Sequence, residues 1–260
     1  MNKEATILEV INMNLSYPGK TIVEDANFSI HAGEVVLLLG DNGSGKSSII
    51  ESIRGNLAGT SRNEKKVVFQ GAPIKDGGDL EAFQRSISYV GQLDHSDDFF
   101  ALKVKDYIGD YVRESAYAKE HPEVVEGDIK EACEKFGLED DVMNRSLRKI
   151  SGGQFRLASI VRAFARAHSS LYIFDEPINN LDATKSRRLN NELIKLKNRE
   201  DHPGILIITH CQMFTKVDSV FALRGKKLIP VKLGTGPGEY EYKTCYGNCD
   251  ECGFYKEEER

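Results

Sequence analysis

Gly40-Asp41-Asn42-Gly43-Ser44-Gly45-Lys46-Ser47 places three glycines, a lysine and two hydroxyls within eight residues. The stretch fits G-x-x-x-x-G-K-[ST], a loop that cradles phosphates. The glycines let the backbone turn its N–H groups inward around a polyphosphate. A helix opening at Ser48 adds partial positive charge at the same point. Lys46 can reach β- and γ-phosphates, and the Ser47 hydroxyl can ligate Mg²⁺.

Other chemistry-bearing residues lie far along the chain. Asp175 and Glu176 close the apolar run Leu171-Tyr172-Ile173-Phe174. Beside a phosphate loop, Asp175 can hold Mg²⁺ through its water shell, and Glu176 can polarise a water attacking a γ-phosphate. Ser151-Gly152-Gly153-Gln154 opens a helix and forms either a second anion nest or an ordinary N-cap. Gln92 and His210 each end an apolar run, where open α/β sheets place their ligands. A solvated glutamine and a structural histidine are the plainer readings. Tyr17 ends a strand at Pro18-Gly19, as a purine platform or a core tyrosine.

The elements that must position these groups read as an α/β chain. Glu34 to Leu39 and Gly204 to Thr209 are unbroken apolar runs, expected of buried parallel strands. Ile49, Ile50 and Ile53 mark the helix after the phosphate loop. Ile11, Met13, Leu15 and Tyr17 alternate with polar residues, and so do Ala26, Phe28 and Ile30, which predicts an antiparallel layer before the core. Gly55 to Lys66 reads as a link and Lys66 to Phe69 as a strand. Gly71, Pro73, Gly77 and Gly78 mark loops, and Ser86 to Val90 a further strand. From Asp97 to Lys149 the apolar residues take helical spacing, which predicts a helical insertion. Leu157, Ile160, Val161 and Phe164 line the helix after the serine–glycine turn, and Leu189, Leu193 and Leu196 a later one.

Composition bounds the function. The chain has 260 residues, 40% apolar and 29% charged, with formal net charge −5, which argues against bulk nucleic-acid binding. No secretory signal and no bilayer-length apolar run are visible, so the expectation is a cytosolic protein that reaches a membrane only through a partner. Five cysteines do not make a disulfide framework. Cys245, Cys249 and Cys252, in the spacing C-x₃-C-x₂-C, could share zinc or an iron–sulfur cluster, or be reduced thiols in a tail. That spacing also resembles the cluster motif of radical S-adenosylmethionine enzymes, whose barrel this chain lacks.

In this order, over about residues 6–230, the pieces resemble the nucleotide-binding subunit of ATP-binding cassette (ABC) transporters. The resemblance implies a P-loop fold of ABC type, with core 1–92 and 150–230, a helical subdomain 93–149 and a Cys-containing tail 231–260. It makes 40–47 the Walker A motif, Tyr17 the adenine platform and Gln92 the Q-loop residue that senses Mg²⁺ and contacts the transport partner. Ile150 to Gln154 become the signature, 171–176 Walker B, Asn179-Asn180-Leu181-Asp182 the D-loop and His210 the switch histidine. ATP and Mg²⁺ would be held between one chain's Walker A and its mate's signature in a head-to-tail homodimer or heterodimer that drives a separate transmembrane permease. Two departures stand out. Leu157 replaces an arginine usual three residues after Gln154, with Arg156 as the substitute, and Asn179-Asn180 replace small D-loop residues. The weighed alternatives are a soluble ABC ATPase, for instance of iron–sulfur assembly, and a non-hydrolysing scaffold.

Overall fold

The computed structural model describes residues 5–55, 66–75, 77–91, 101–210 and 214–232. In chain order the elements are strands β1 (Thr6–Tyr17), β2 (Lys20–His31) and β3 (Val35–Leu39), helix α1 (Lys46–Ile53), strands β4 (Lys66–Phe69) and β5 (Ala72–Pro73), helix α2 (Gly78–Ser86) and strand β6 (Ile87–Val90). Helices α3 (Val104–Arg113), α4 (Ala116–Glu120), α5 (Val125–Phe136), α6 (Asp140–Met143) and α7 (Gly152–Ala165) follow. Then come β7 (Leu171–Asp175), α8 (Ala183–Lys197), β8 (Gly204–Thr209), β9 (Ser219–Arg224) and β10 (Lys227–Val231).

A six-stranded sheet has the order β10-β9-β3-β8-β7-β6, parallel from β9 to β6, with β10 antiparallel at one edge. Every residue of β3, β7 and β8 is buried, because both sheet faces are covered. Period two sorts the side chains. Leu37, Phe174 and Ile207 join one core with Val104, Ile129, Leu157 and Leu189 from the helices. Val36, Leu38, Ile173 and Leu206 join another with α1 and the strands of the second sheet. That four-stranded sheet, β2-β1-β4-β5, is antiparallel, as the alternation of its first two strands predicts.

The sequence reading needs three corrections. In β1 it is Val10, Met13 and Leu15 that are buried, while Ile11 is half-buried and Tyr17 exposed. A register shift between Val10 and Met13 breaks the alternation, with Asn12 left-handed at φ 50 and Asp25 opposite at φ 50. Asparagine and aspartate tolerate that conformation. Asn12 N–H donates to Asn27 Oδ1 and Asp25 N–H to Asn14 Oδ1, so side chains replace the missing ladder bonds.

Gly77 and Gly78 open a helix rather than a loop. Gly77, at φ 79, precedes α2, whose Asp79 and Glu81 favour its N-terminus. That helix takes Ser86 from the expected strand and buries Phe83 edge-on against Phe69. Finally, residues 219–231, which periodicity left unassigned, form the hairpin β9–β10 and widen the main sheet. Helices α3 to α6 lie where the insertion was expected, and Gly137 ends α5 in the left-handed region at φ 70.

Candidate functional site

Because β3, β8, β7 and β6 run parallel, their carboxyl ends open on one edge. Leu39 pairs with Thr209 and Asp175 with Ile208, so Gly40, His210 and Glu176 follow adjacent strands. The phosphate loop itself is shaped by close approach. Gly45 has φ 111, and a Cβ there would lie 2.4 Å from Ile22 Cγ2 of β2. The antiparallel sheet is therefore pressed onto the loop and admits only glycine.

Lys46 folds back over this loop. Its Nζ donates to the carbonyls of Gly40 at 2.7 Å and Asp41 at 2.9 Å, and stands 3.9 Å from Glu176 Oε1. Burial pushes the pKa of the amine down, while Glu176, Asp175 and Asp41 pull it back up. Ser47 and Ser48 lie half-buried at the start of α1, and Asp41, Asn42 and Gly43 form the exposed crest.

The two carboxylates differ in setting. Asp175 is 1% exposed, and neither of its oxygens has a hydrogen-bond partner among the described residues. Burial raises its pKa. The Ser47 hydroxyl opposes the rise, though outside strict hydrogen-bond geometry, and so do Lys46 and Arg156, while Glu176 adds to it. Glu176 has φ 46, an uncommon conformation for its residue type, of the kind that clusters at functional sites. Its N–H donates to the Ile208 carbonyl, and its Oε2 lies 2.9 Å from His210 Nδ1. Oε1 of Glu176 and Oγ of Ser44 are also buried with no hydrogen-bond partner among the described residues.

Buried oxygens are ordinarily hydrogen-bonded, so this group points to a ligand. A carboxylate beside a hydroxyl is a donor set that Mg²⁺ takes, and backbone N–H groups with a lysine suit phosphate oxygens. The residues present thus fit a metal-bound nucleotide.

Other expected residues stand apart. Ser151 caps α7: its Oγ accepts from Gln154 N–H at 3.2 Å, and Gln154 Oε1 accepts from Ser151 N–H at 3.0 Å. This turn and Asp182, which caps α8 by accepting from Lys185 N–H, make no hydrogen bond or ion pair with the phosphate loop among the described residues. Tyr17 is 39% exposed at the tip of the β1–β2 hairpin, which removes the core-tyrosine reading. Gln92, Cys245, Cys249 and Cys252 lie outside the described residues.

The sequence reading missed how deep Arg156 lies. It is 1% exposed, on the α7 face that also buries Ile160 and Ala163, and its Nη1 donates to the Gly91 carbonyl at 2.8 Å. A charge in step with an apolar stripe was the available signal.

A family model described as ABC transporter matches residues 23–179. The chain belongs to this family. It is a nucleotide-binding domain of ABC type. A candidate ABC transporter ATP-binding protein of Methanosarcina mazei is 32% identical over 229 residues, covering 86% of this chain and 48% of the relative. The arabinose import ATP-binding protein AraG of Pectobacterium atrosepticum is 25% identical over 86% of this chain and 41% of its own length. The chain thus spans about half the length of these curated relatives. A solved structure described as the ATP binding subunit of an ABC transporter superposes with TM-score 0.73 at 25% identity, over 86% of this chain and 88% of that one. Among the described residues no helix is long and apolar enough to cross a membrane.

Proposed function

We propose that this chain binds and hydrolyses ATP with Mg²⁺, as one of two subunits closing head to tail, and drives a separate membrane-spanning permease. One observation carries the reading. Lys46, the buried Asp175 and the Glu176–His210 pair converge on one edge of the sheet. The Walker A residues Gly40 to Ser47 and Ser48 would bind the phosphates, with Tyr17 against the adenine. Ser47, Asp175 and Gln92 would hold Mg²⁺, which neutralises phosphate charge when bound. Glu176 takes a proton from the attacking water as its oxygen joins the γ-phosphorus and the bond to the bridging oxygen breaks. His210, bonded to the other carboxylate oxygen, orients Glu176 and reaches the γ-phosphate. Ser151, Gly152, Gly153, Gln154 and Asp182 would serve the mate's nucleotide, which accounts for their making no hydrogen bond or ion pair with the chain's own loop among the described residues.

The family supports ATP and Mg²⁺ in general, and the named relatives support transport over the soluble alternative. On this reading the core is 1–92 and 150–230 with a helical arm at 93–149, and the protein works at the inner face of the cell membrane through its permease. Metal at Cys245, Cys249 and Cys252 rests on spacing alone. Zinc and iron analysis beside Cys249→Ser decides it. The main test is Glu176→Gln. It should bind ATP, lose at least a hundredfold in turnover, and dimerise with ATP on size exclusion. A variant that stays monomeric at saturating ATP refutes the two-chain site.

A further inference from the structure

Arg156 heads the large side chains that are fully buried. A guanidinium buried this deeply carries a desolvation cost of several kcal/mol that only its partners offset. Its Nη1 holds the Gly91 carbonyl, and its buried Nε has no partner among the described residues. Gly91 follows Val90, which pairs with Phe174, so the bond lands one step from Asp175 across the strand pair. Burial is the largest influence on Arg156, and Asp175 is the charge that offsets it most, with Glu176 adding to it. Arg156 therefore runs from the signature helix to the strand ends that hold the nucleotide residues.

A second contact strengthens the tie. The Asn180 carbonyl presses on Gly153 so closely that an added Cβ would lie 2.8 Å away. Asn180 is left-handed at φ 65, in the loop that begins at Glu176. The turn at 151–154 is thus fixed twice to its own chain's nucleotide residues, through β6 by Arg156 and through the loop after β7 by Asn180.

We infer that Arg156 is a positioning residue that locks the signature turn to the chain's own strand ends, so that a chain offers its signature to the mate's ATP only in step with its own site. The inference rests on the two-chain reading above. With the lock removed, the turn keeps only its tie to Asn180 and its orientation before closure loosens, and the cost falls on dimer formation rather than on nucleotide capture.

The test compares Glu176→Gln with Glu176→Gln/Arg156→Met and Glu176→Gln/Arg156→Lys. Dimerisation with ATP is measured by analytical ultracentrifugation, and ATP affinity at chain concentrations below the dimer range. Methionine should raise the dimer dissociation constant at least tenfold and leave ATP affinity within threefold. Lysine, which can still donate to the Gly91 carbonyl, should fall between. A merely structural role would lower ATP affinity and melting temperature together, and that result overturns the inference. So does an unchanged dimer constant. Should the methionine variant fail to fold, the lysine variant decides by the same reading, with at least threefold expected. If Glu176→Gln itself remains monomeric, the two-chain reading falls and the inference with it.

Discussion

Replacing Asp175 by asparagine should stabilise the metal-free protein while disabling it. The carboxylate is 1% exposed and neither oxygen has a partner among the described residues. The effective penalty for an ion in such a place is several kcal/mol, against about 1–3 kcal/mol for an unsatisfied neutral amide. Loss of attraction to Lys46 and Arg156 returns part of the difference, but burial is the largest influence on this carboxyl, so the sign holds. A net gain of about 2 kcal/mol follows. For a chain of 260 residues that corresponds to a melting temperature higher by roughly 4 °C.

The gain has a defined pH window. Burial raises the folded-state pKa of Asp175 above its unfolded value. Its destabilising effect is therefore full above the folded pKa and vanishes as pH falls through it into the ordinary carboxylate range. The asparagine variant should lead most at pH 8 and lose its lead on acidification. With Mg²⁺ and ATP the order should reverse. Wild type gains about 2.7 kcal/mol at ligand a hundredfold above its dissociation constant, while the variant gains less and turns over at least about a hundredfold more slowly. Thermal unfolding in EDTA and in Mg²⁺–ATP, at pH 8 and pH 5, measures all of this. An asparagine variant that melts at or below wild type in EDTA at pH 8 refutes the claim that burial of Asp175 outweighs the groups that attract its charge.

Three further outcomes are expected. Gly45→Ala must place a Cβ at 2.4 Å from Ile22 Cγ2 in backbone at φ 111, so ATP binding by calorimetry should fall below detection, with partial return in Gly45→Ala/Ile22→Ala. Asp182→Ala removes the oxygen that accepts from Lys185 N–H at 2.8 Å and should lower stability by about 1 kcal/mol in urea, with most restored by Asp182→Ser. Burial pushes the Cys133 thiol up to about 11, so iodoacetamide at pH 8 should leave it unlabelled in the native protein and label it in urea, by peptide mass mapping.

The parallel core was readable because its strands are buried on both faces. Val35 to Leu39, Leu171 to Phe174 and Gly204 to Ile208 are runs that few other structures would accommodate. The phosphate loop was readable because its backbone demands fixed glycines. The edge of the fold was harder. In β1, asparagine at φ 50 shifts the register, and no count of apolar residues foresees that Ile11 turns outward. Glycines at 77 and 78 spoke for a loop, yet one caps a helix held by a single buried ring, Phe83. A helix this short leaves little periodic signal. At the site, residue types were legible while their relations were not. That Asp175 makes no hydrogen bond among the described residues while Glu176 holds His210 depends on the strand order β3-β8-β7, which only the assembled sheet defines.

That sheet also divides labour between its faces. Leu38 and Ile208 point into the core shared with β1 and β2, and on this side Ile22 presses on Gly45 and fixes the phosphate loop. Leu37, Phe174 and Ile207 point into the core shared with α3, α5 and α7, and on this side Arg156 reaches Gly91. Successive residues of one strand therefore serve different loops. Trimming Leu38 should disturb nucleotide capture, whereas trimming Phe174 should disturb how α7 carries Ser151 to Gln154. The strand ends are where the two influences meet, and Asp175 and Glu176, adjacent in sequence, divide between them: one carboxylate next to the loop serine, the other beside the lysine and the histidine.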